Sequence, residues 1–116
     1  MKKMAILMTA LVVTLFLLAL TFPGSAYGQV NGQEVFMAQK CNLCHTVSSA
    51  DIEAKMSGKM AGPDLTGVTD RHEAEVIVDY LRGDAELNGA EHKKKFTGSD
   101  EELGALIEWL RSQKAD

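Results

Sequence analysis

The sequence predicts an all-α fold, because three segments repeat their apolar residues at helical spacing and none alternates as a strand would. No internal repeat or low-complexity tract interrupts them, which favours one small domain. Between the predicted helices lie two irregular stretches, 46–69 and 84–98, and loops this long in a compact domain are typically functional. A domain this short also has little core of its own. We therefore expect the loops to enclose a bound group that completes the core.

The first 26 residues are predicted to be a signal peptide rather than part of the fold. Two lysines form a basic start, an apolar run covers residues 4–20, and small residues follow at 23–26. Cleavage after Ala26 or after Gly28 fits equally well and leaves a domain over 29–116, in the periplasm or otherwise exported. The alternative is an uncleaved membrane anchor, since about 20 apolar residues are enough to span a bilayer.

The rest of the chain is acidic. Its 10 Lys and Arg residues against 16 Asp and Glu give a formal charge of −6. This charge argues against nucleic acid as a partner and suits a soluble protein that meets basic patches on other proteins. One basic run, Lys93-Lys94-Lys95, departs from this pattern and fits either a solvated loop or a docking patch.

The first predicted helix runs from Asn31 to a pair of cysteines. Asn31 is placed as its N-cap, and Glu34 lies where a capping box puts its carboxylate. The second helix is expected to begin after Asp70, with Glu73 at capping-box spacing, and to end at Gly83. Its buried stripe is predicted at spacings of one, four and five residues and comprises Val76, Ile77, Tyr80 and Leu81.

The third predicted helix has the clearest pattern. Ser99 and Glu102 form a capping box at its start, and basic residues at its end suit the negative end of the helix dipole. Four apolar residues recur at spacings of three and four and are expected to be buried: Leu103, Leu106, Ile107 and Leu110.

The motif that carries chemistry is Cys41-Asn42-Leu43-Cys44-His45. Thiols three residues apart can bond to the two vinyl groups of a haem while His45 binds its iron, so the motif predicts one covalent c-type haem. A thioredoxin-like dithiol would require a βαβ pattern, which is not visible. A zinc site from both cysteines and two histidines has poor geometry, and a disulfide at this spacing is strained.

At this motif the chain resembles the monohaem cytochrome c family of the class I type. The resemblance extends over residues 32–114. Before the motif, Gly32 and Phe36 match a glycine and an aromatic residue on the family's first helix. After it, the Gly-Pro-Asp-Leu segment at 62–65 is similar to the family's Gly-Pro-x-Leu segment.

The resemblance implies a cytochrome c-like fold of three main helices wrapped around one covalently bound haem. It also implies that the carbonyl of Pro63 accepts the ring N–H of His45 and so orients this proximal iron ligand. In the last helix, Trp109 then packs against Gly32 and Phe36. Such a domain is expected to be a monomer.

The sequence departs from the family at the second axial ligand, because the loop before the last helix contains no Met. The three methionines after the signal segment all precede this loop and are interpreted as gap-filling apolar residues. The loop instead contains His92, which we predict to be the distal iron ligand. His72, expected to be an exposed residue in the first turn of the second helix, and Met60 are the alternatives, followed by an open site.

These assignments predict an electron-transfer protein rather than an enzyme, since no carboxylate pair, Ser/His/Asp set or second metal motif is present. Two imidazole ligands predict a lower potential than a His/Met pair. Its partners would be a donor and an acceptor protein that the sequence does not identify, with membrane contact only if the N-terminal segment is retained. The alternatives are a haem enzyme or sensor for peroxide or a diatomic gas, with an open or displaceable distal site, and a membrane-tethered respiratory subunit.

Overall fold

A computed structural model describes residues 2–21 and 29–116 of the chain. This part is mostly helical and contains no strand, only two isolated bridges, at Val47 with Ile52 and at Leu87 with Ala90. The all-α prediction therefore holds for the described residues. The α-helices are α1 (Lys2–Thr21), α2 (Gly32–Ala38), α3 (Val68–Arg71), α4 (Ala74–Arg82) and α5 (Asp100–Ser112), and short 3-10 helices cover Cys41–Leu43, Ser48–Ala50 and Gly58–Met60.

Helix α1 covers the apolar run of the predicted signal peptide. Its large apolar side chains from Met4 to Phe16 are exposed, and the core cluster contains no described residue of this helix. In the parts of the chain that the structure covers, no helix combines the length and hydropathy needed to cross a membrane. The cleavage positions at Ala26 and Gly28 lie outside the described residues, so the signal peptide stays a prediction.

Helix α2 begins as expected but ends early. The side-chain oxygen of Asn31 accepts the N–H groups of Gln33 and Glu34 at 2.9 and 3.2 Å, which confirms the predicted N-cap. The helix does not reach the cysteines, because Lys40 adopts a left-handed conformation with φ 60° and ends it. The prediction of one helix from Asn31 to the cysteine pair is wrong, and a separate 3-10 turn carries the motif.

The second predicted helix is divided in two. Asp70 does not cap a helix but lies inside the single turn of α3, and α4 begins after Glu73. His72 lies between them in extended backbone, so its predicted place in the first turn of a helix is wrong. The predicted end at Gly83 is confirmed, with φ 81° and its N–H bonded to the carbonyl of Tyr80 at 3.2 Å.

The apolar stripe of α4 is narrower than its spacing predicts. Ile77 is buried, and Tyr80 and Leu81 are half-buried. Val76 is 38 % exposed, so it does not belong to the buried stripe. Both half-buried residues line a cavity, described below, and Leu81 also packs against the core.

Helix α5 has the predicted start and the predicted buried face. The Ser99 hydroxyl accepts the N–H of Glu102 at 3.2 Å, and the Glu102 carboxylate accepts the N–H of Ser99 at 2.7 Å. The capping box is therefore confirmed. All four predicted apolar positions of this helix, Leu103, Leu106, Ile107 and Leu110, are buried.

Helices α2 and α5 cross at Gly32, where a Cβ atom would overlap the carbonyl oxygen of Ala105 and Cβ of Trp109. The Trp109 ring lies 5.2 Å from that of Phe36, centroid to centroid, at 48°. The packing implied by the family resemblance is therefore confirmed. This crossing holds most of the small core, including the fully buried Phe36 and Leu106.

Candidate functional site

A cavity of about 640 Å³ lies between the end of α2, the segment around Pro63, helix α4 and the loop 84–98. Its size is within the range of about 300–1,000 Å³ that is usual for small-molecule and cofactor sites. Apolar side chains such as Leu65 and Leu81 form much of its wall. The long loops thus enclose the space where the sequence predicted a bound group.

Cys41 and Cys44 both line this cavity as free thiols. The 3-10 turn that follows the left-handed Lys40 presents both side chains to the same space. Burial raises the pKa of the Cys41 thiol, and the positive charge of Lys94 opposes this shift in part. Cys41 is therefore held as a neutral thiol near pH 7, beside a space that could hold a cofactor.

His45 lies next to the cysteines with its ring fixed from two sides. Its Nδ1–H donates to the carbonyl oxygen of Pro63 at 2.8 Å. The ring also lies against Gly62, where a Cβ atom would overlap Cε1 and lie 2.6 Å from Nδ1. Burial is the main cause that lowers the pKa of His45, which favours the neutral imidazole that metals bind.

The segment that contacts His45 is tied to the rest of the fold by several hydrogen bonds. The N–H of Gly62 donates to the carbonyl of Cys44 at 2.6 Å, and Arg71 donates to the carbonyl of Asp64 at 3.0 Å. The Asp64 carboxylate accepts the N–H groups of Ser48 and Thr66 at 3.2 and 2.9 Å. Burial alone would raise the pKa of Asp64, but hydrogen bonds from Ser48 and Thr66 outweigh it and lower the pKa to about 2.

His92 lies opposite His45 in the cavity. The two ring centroids are 6.0 Å apart, and the ring planes are inclined by only 7°. The Nδ1–H of His92 donates to the carbonyl of Lys94 at 2.5 Å. Both rings therefore use Nδ1 for a backbone carbonyl and leave Nε2 available, which is the arrangement typical of metal-bound histidines.

The spacing of these two rings fits one shared metal ion. In a metal site with two imidazoles on opposite sides, each metal–nitrogen distance is about 2 Å. Each ring centroid lies about 1 Å further from the metal than its bound nitrogen, so the two centroids are about 6 Å apart. The separation of His45 and His92 matches this value. The residues present thus fit a metal within a flat macrocycle attached to the adjacent cysteines.

Tyr80 is a site residue that the sequence reasoning placed only in an apolar stripe. Its ring packs edge-on against His92, with centroids 5.0 Å apart at 74°. Gly62 was recognised only as part of the Gly-Pro segment, and its contact with the His45 ring was missed. The position of Gly62 directly before Pro63 could have indicated its contact with His45. No sequence pattern links Tyr80 to His92.

The rival ligands are placed less favourably. His72 lines the cavity but is half-buried, so the expectation of an exposed residue is wrong. Met60 also lines it and is 51 % exposed. Met37 and Met56 are 45 % and 39 % exposed, so the interpretation of the three methionines as gap-filling residues is wrong for all of them. Among the described residues, no three His, Cys, Asp or Glu side chains converge as a metal cluster, the arrangement that a zinc site would need.

Comparison with protein families gave a match to the family model described as Cytochrome c, over residues 29–114. Comparisons with curated proteins and with solved structures gave no match. The matched range contains α2 to α5, both cysteines and all three histidines.

Proposed function

The chain belongs to the cytochrome c family, and on that premise we propose that it is a single-electron carrier with one covalent haem bound between His45 and His92. The family implies covalent haem c and electron transfer through it. The finer assignments are His45 as proximal and His92 as distal iron ligand, with thioether bonds to Cys41 and Cys44. Both axial positions are then occupied, which suits a carrier rather than an enzyme.

The observation that carries this proposal is the opposition of the two imidazoles. The rings are 6.0 Å apart and nearly parallel, and because a carbonyl binds Nδ1 of each, both Nε2 atoms would be available to one iron. Neither Met60 nor His72 has a comparable relationship to His45 among the contacts that the structure describes.

The chain's own residues account for binding and orientation. The thiols of Cys41 and Cys44, which line the cavity, would hold the haem covalently through its two vinyl groups. The carbonyls of Pro63 and Lys94 hold the two imidazoles in one tautomer, and Gly62 leaves room for the His45 ring. Bound haem supplies reversible exchange of one electron at iron.

The ligand pair also bears on the redox potential. A thioether ligand raises the haem potential relative to a second imidazole, so His45 with His92 favours a low-potential carrier. The apolar cavity wall limits water around the iron. Carriers of this kind suit the reducing end of a respiratory chain.

The location and partners form part of the same proposal. The N-terminal segment supports export to the periplasm, with cleavage after Ala26 or Gly28, or retention as a tether. Partners would be one donor and one acceptor protein, met through a surface with a formal charge of −6. Fractionation of cells that express the full chain tests this: haem protein in the soluble periplasm supports cleavage, and haem protein in salt-washed membranes supports a tether.

The decisive experiment compares oxidised holoprotein by low-temperature electron paramagnetic resonance in three forms. Wild type is expected to give the low-spin signal of two imidazoles, and His92→Ala is expected to lose it. His72→Ala is the matched control, because it removes the other imidazole that lines the cavity, and it should leave the signal unchanged. Retention of the signal in His92→Ala would remove His92 from the iron.

Two further measurements separate this proposal from an enzyme or a sensor. Haem that stays with the polypeptide in acidified organic solvent supports thioether bonds to Cys41 and Cys44. Slow binding of carbon monoxide by the reduced protein supports a filled distal site. Rapid stoichiometric binding at neutral pH would instead favour the open site of a sensor or a peroxide-using enzyme.

A further inference from the structure

Lys94 connects the ring of His92 to the end of helix α2. Its carbonyl oxygen accepts the Nδ1–H of His92 at 2.5 Å, and its own Nζ donates to the carbonyl oxygen of Gln39 at 2.8 Å. Gln39 is the residue that ends α2, where unpaired carbonyls and the helix dipole favour a cation. A single residue thus joins the distal histidine to the helix that leads to the haem motif.

Lys93 makes a similar contact on another side of the cavity. Its Nζ donates to the carbonyl oxygen of Lys59 at 2.8 Å, in the 3-10 helix Gly58–Met60. Further along the loop, the Thr97 hydroxyl donates to Oε1 of Gln39 at 3.3 Å. Directly after His92, the loop is therefore hydrogen-bonded to two other segments, the end of α2 and the 3-10 helix Gly58–Met60.

Buried apolar contacts contribute little to holding this part of the loop, which is otherwise held by the N–H of Phe96 on the carbonyl of Leu81 at 2.8 Å and by the Tyr80 ring against His92. Of the described residues in 84–98, only Phe96 belongs to the buried core. Before His92 the chain turns through two left-handed residues, Asn88 with φ 53° and Gly89 with φ 76°. A segment with few apolar contacts opens readily, so hydrogen bonds to other segments contribute much of its stability.

We infer that Lys93 and Lys94 are positioning residues that keep His92 over the cavity, a role that differs from docking a partner. This inference rests on the proposed ligation of iron by His92. The third lysine of the run behaves differently: the stem of Lys95 lies against Gly83, its Nζ 3.0 Å from where a Cβ would be, and the described residues include no hydrogen-bond acceptor for it. Lys95 therefore offers a control with the same change of charge.

The test measures the rate at which reduced holoprotein binds carbon monoxide, which requires His92 to leave the iron. Methionine keeps most of the apolar stem of lysine but removes the ammonium donor. Lys94→Met and Lys93→Met are each expected to bind carbon monoxide about three- to tenfold faster than wild type, from loss of one charged hydrogen bond. Lys95→Met is expected to stay within about twofold of wild type. No redox partner is present, so a docking role would not move this rate.

The possible results distinguish the positioning role of the two lysines from the proposed ligation of iron by His92. Lys94→Arg retains a cationic donor and should restore a slow rate, which distinguishes loss of the contact from general disruption. Wild-type rates in the double variant Lys93→Met/Lys94→Met, alongside a much faster His92→Ala, would overturn the positioning role alone. A wild-type rate in His92→Ala would show that His92 is not the ligand, and the proposed ligation would fail with it.

Discussion

The imidazole of His45 lies on the bare Cα of Gly62, where any Cβ atom would overlap ring atom Cε1. The same ring donates from Nδ1 to the carbonyl of Pro63, the next residue along the chain. Two adjacent residues therefore fix both the position and the tautomer of the imidazole. Neither contact depends on which cofactor binds in the cavity.

Gly62→Ala is expected to displace the His45 ring and break its bond to Pro63. The absorption and paramagnetic spectra of the oxidised holoprotein should then shift from those of wild type, and less haem should be incorporated. Gly104→Ala is the matched control, because a Cβ on that exposed helical glycine meets nothing within 4 Å. Wild-type spectra in Gly62→Ala would contradict the close contact with His45.

Gly32→Ala is expected to destabilise the fold without touching the cavity. A methyl group there would overlap the backbone of Ala105 and the side chain of Trp109, and forced overpacking costs about 1–3 kcal/mol. Denaturant unfolding should show this loss. Gly104→Ala in the same pair of helices should instead stabilise by up to about 1 kcal/mol. Equal free energies of unfolding for Gly32→Ala and Gly104→Ala would mean that α2 and α5 can move apart with little loss of stability.

The stability contributed by Asp64 should depend on pH. Its pKa of about 2 in the folded state lies below the unfolded value of about 4. The folded state therefore favours the carboxylate, and the stabilisation is present above about pH 4 and lost as the pH falls towards 2. Asp64→Asn should be less stable than wild type at about pH 5, with the difference closing at about pH 2.

Asp79→Asn is the control for this pH dependence, because Asp79 is exposed on α4 and has no side-chain hydrogen bond within the described structure. It removes a carboxylate that accepts no such hydrogen bonds, and it is measured beside Asp64→Asn at both pH values. Both measurements are denaturant unfolding curves of oxidised holoprotein. A constant difference between Asp64→Asn and wild type at the two pH values would contradict the lowered pKa.

Removal of the haem should unfold much of the domain. The buried core of the described residues comprises only ten apolar side chains, of which Phe96 alone comes from loop 84–98, and a cavity of about 640 Å³ lies beside them. A group that binds only the folded state stabilises it, so its loss should leave a chain with little cooperative structure. Far-ultraviolet circular dichroism of Cys41→Ala/Cys44→Ala, freed of haem, measures this directly. A helix signal and a cooperative melt like those of the holoprotein would refute it.

The sequence was sufficient for several features with local determinants, although the equally local spacing of Asp70 and Glu73 did not form a cap. The caps at Asn31 and Ser99 depend on bonds to residues two or three positions away, and both were predictable from residue type and spacing. The end of α4 at Gly83 follows from the low cost of a left-handed glycine. The haem motif is likewise contiguous, so its five residues were recognisable without a fold.

Only the tertiary structure decided which distant residues meet. Nothing local indicates that Lys40 ends α2 before the cysteines, that His72 lies between two helices, or that Val76 is exposed. The parallel rings of His45 and His92 depend on where two long loops close, and so do the contacts of Lys93 and Lys94. Loop closure is set by contacts between segments far apart in the chain, which residue spacing does not encode.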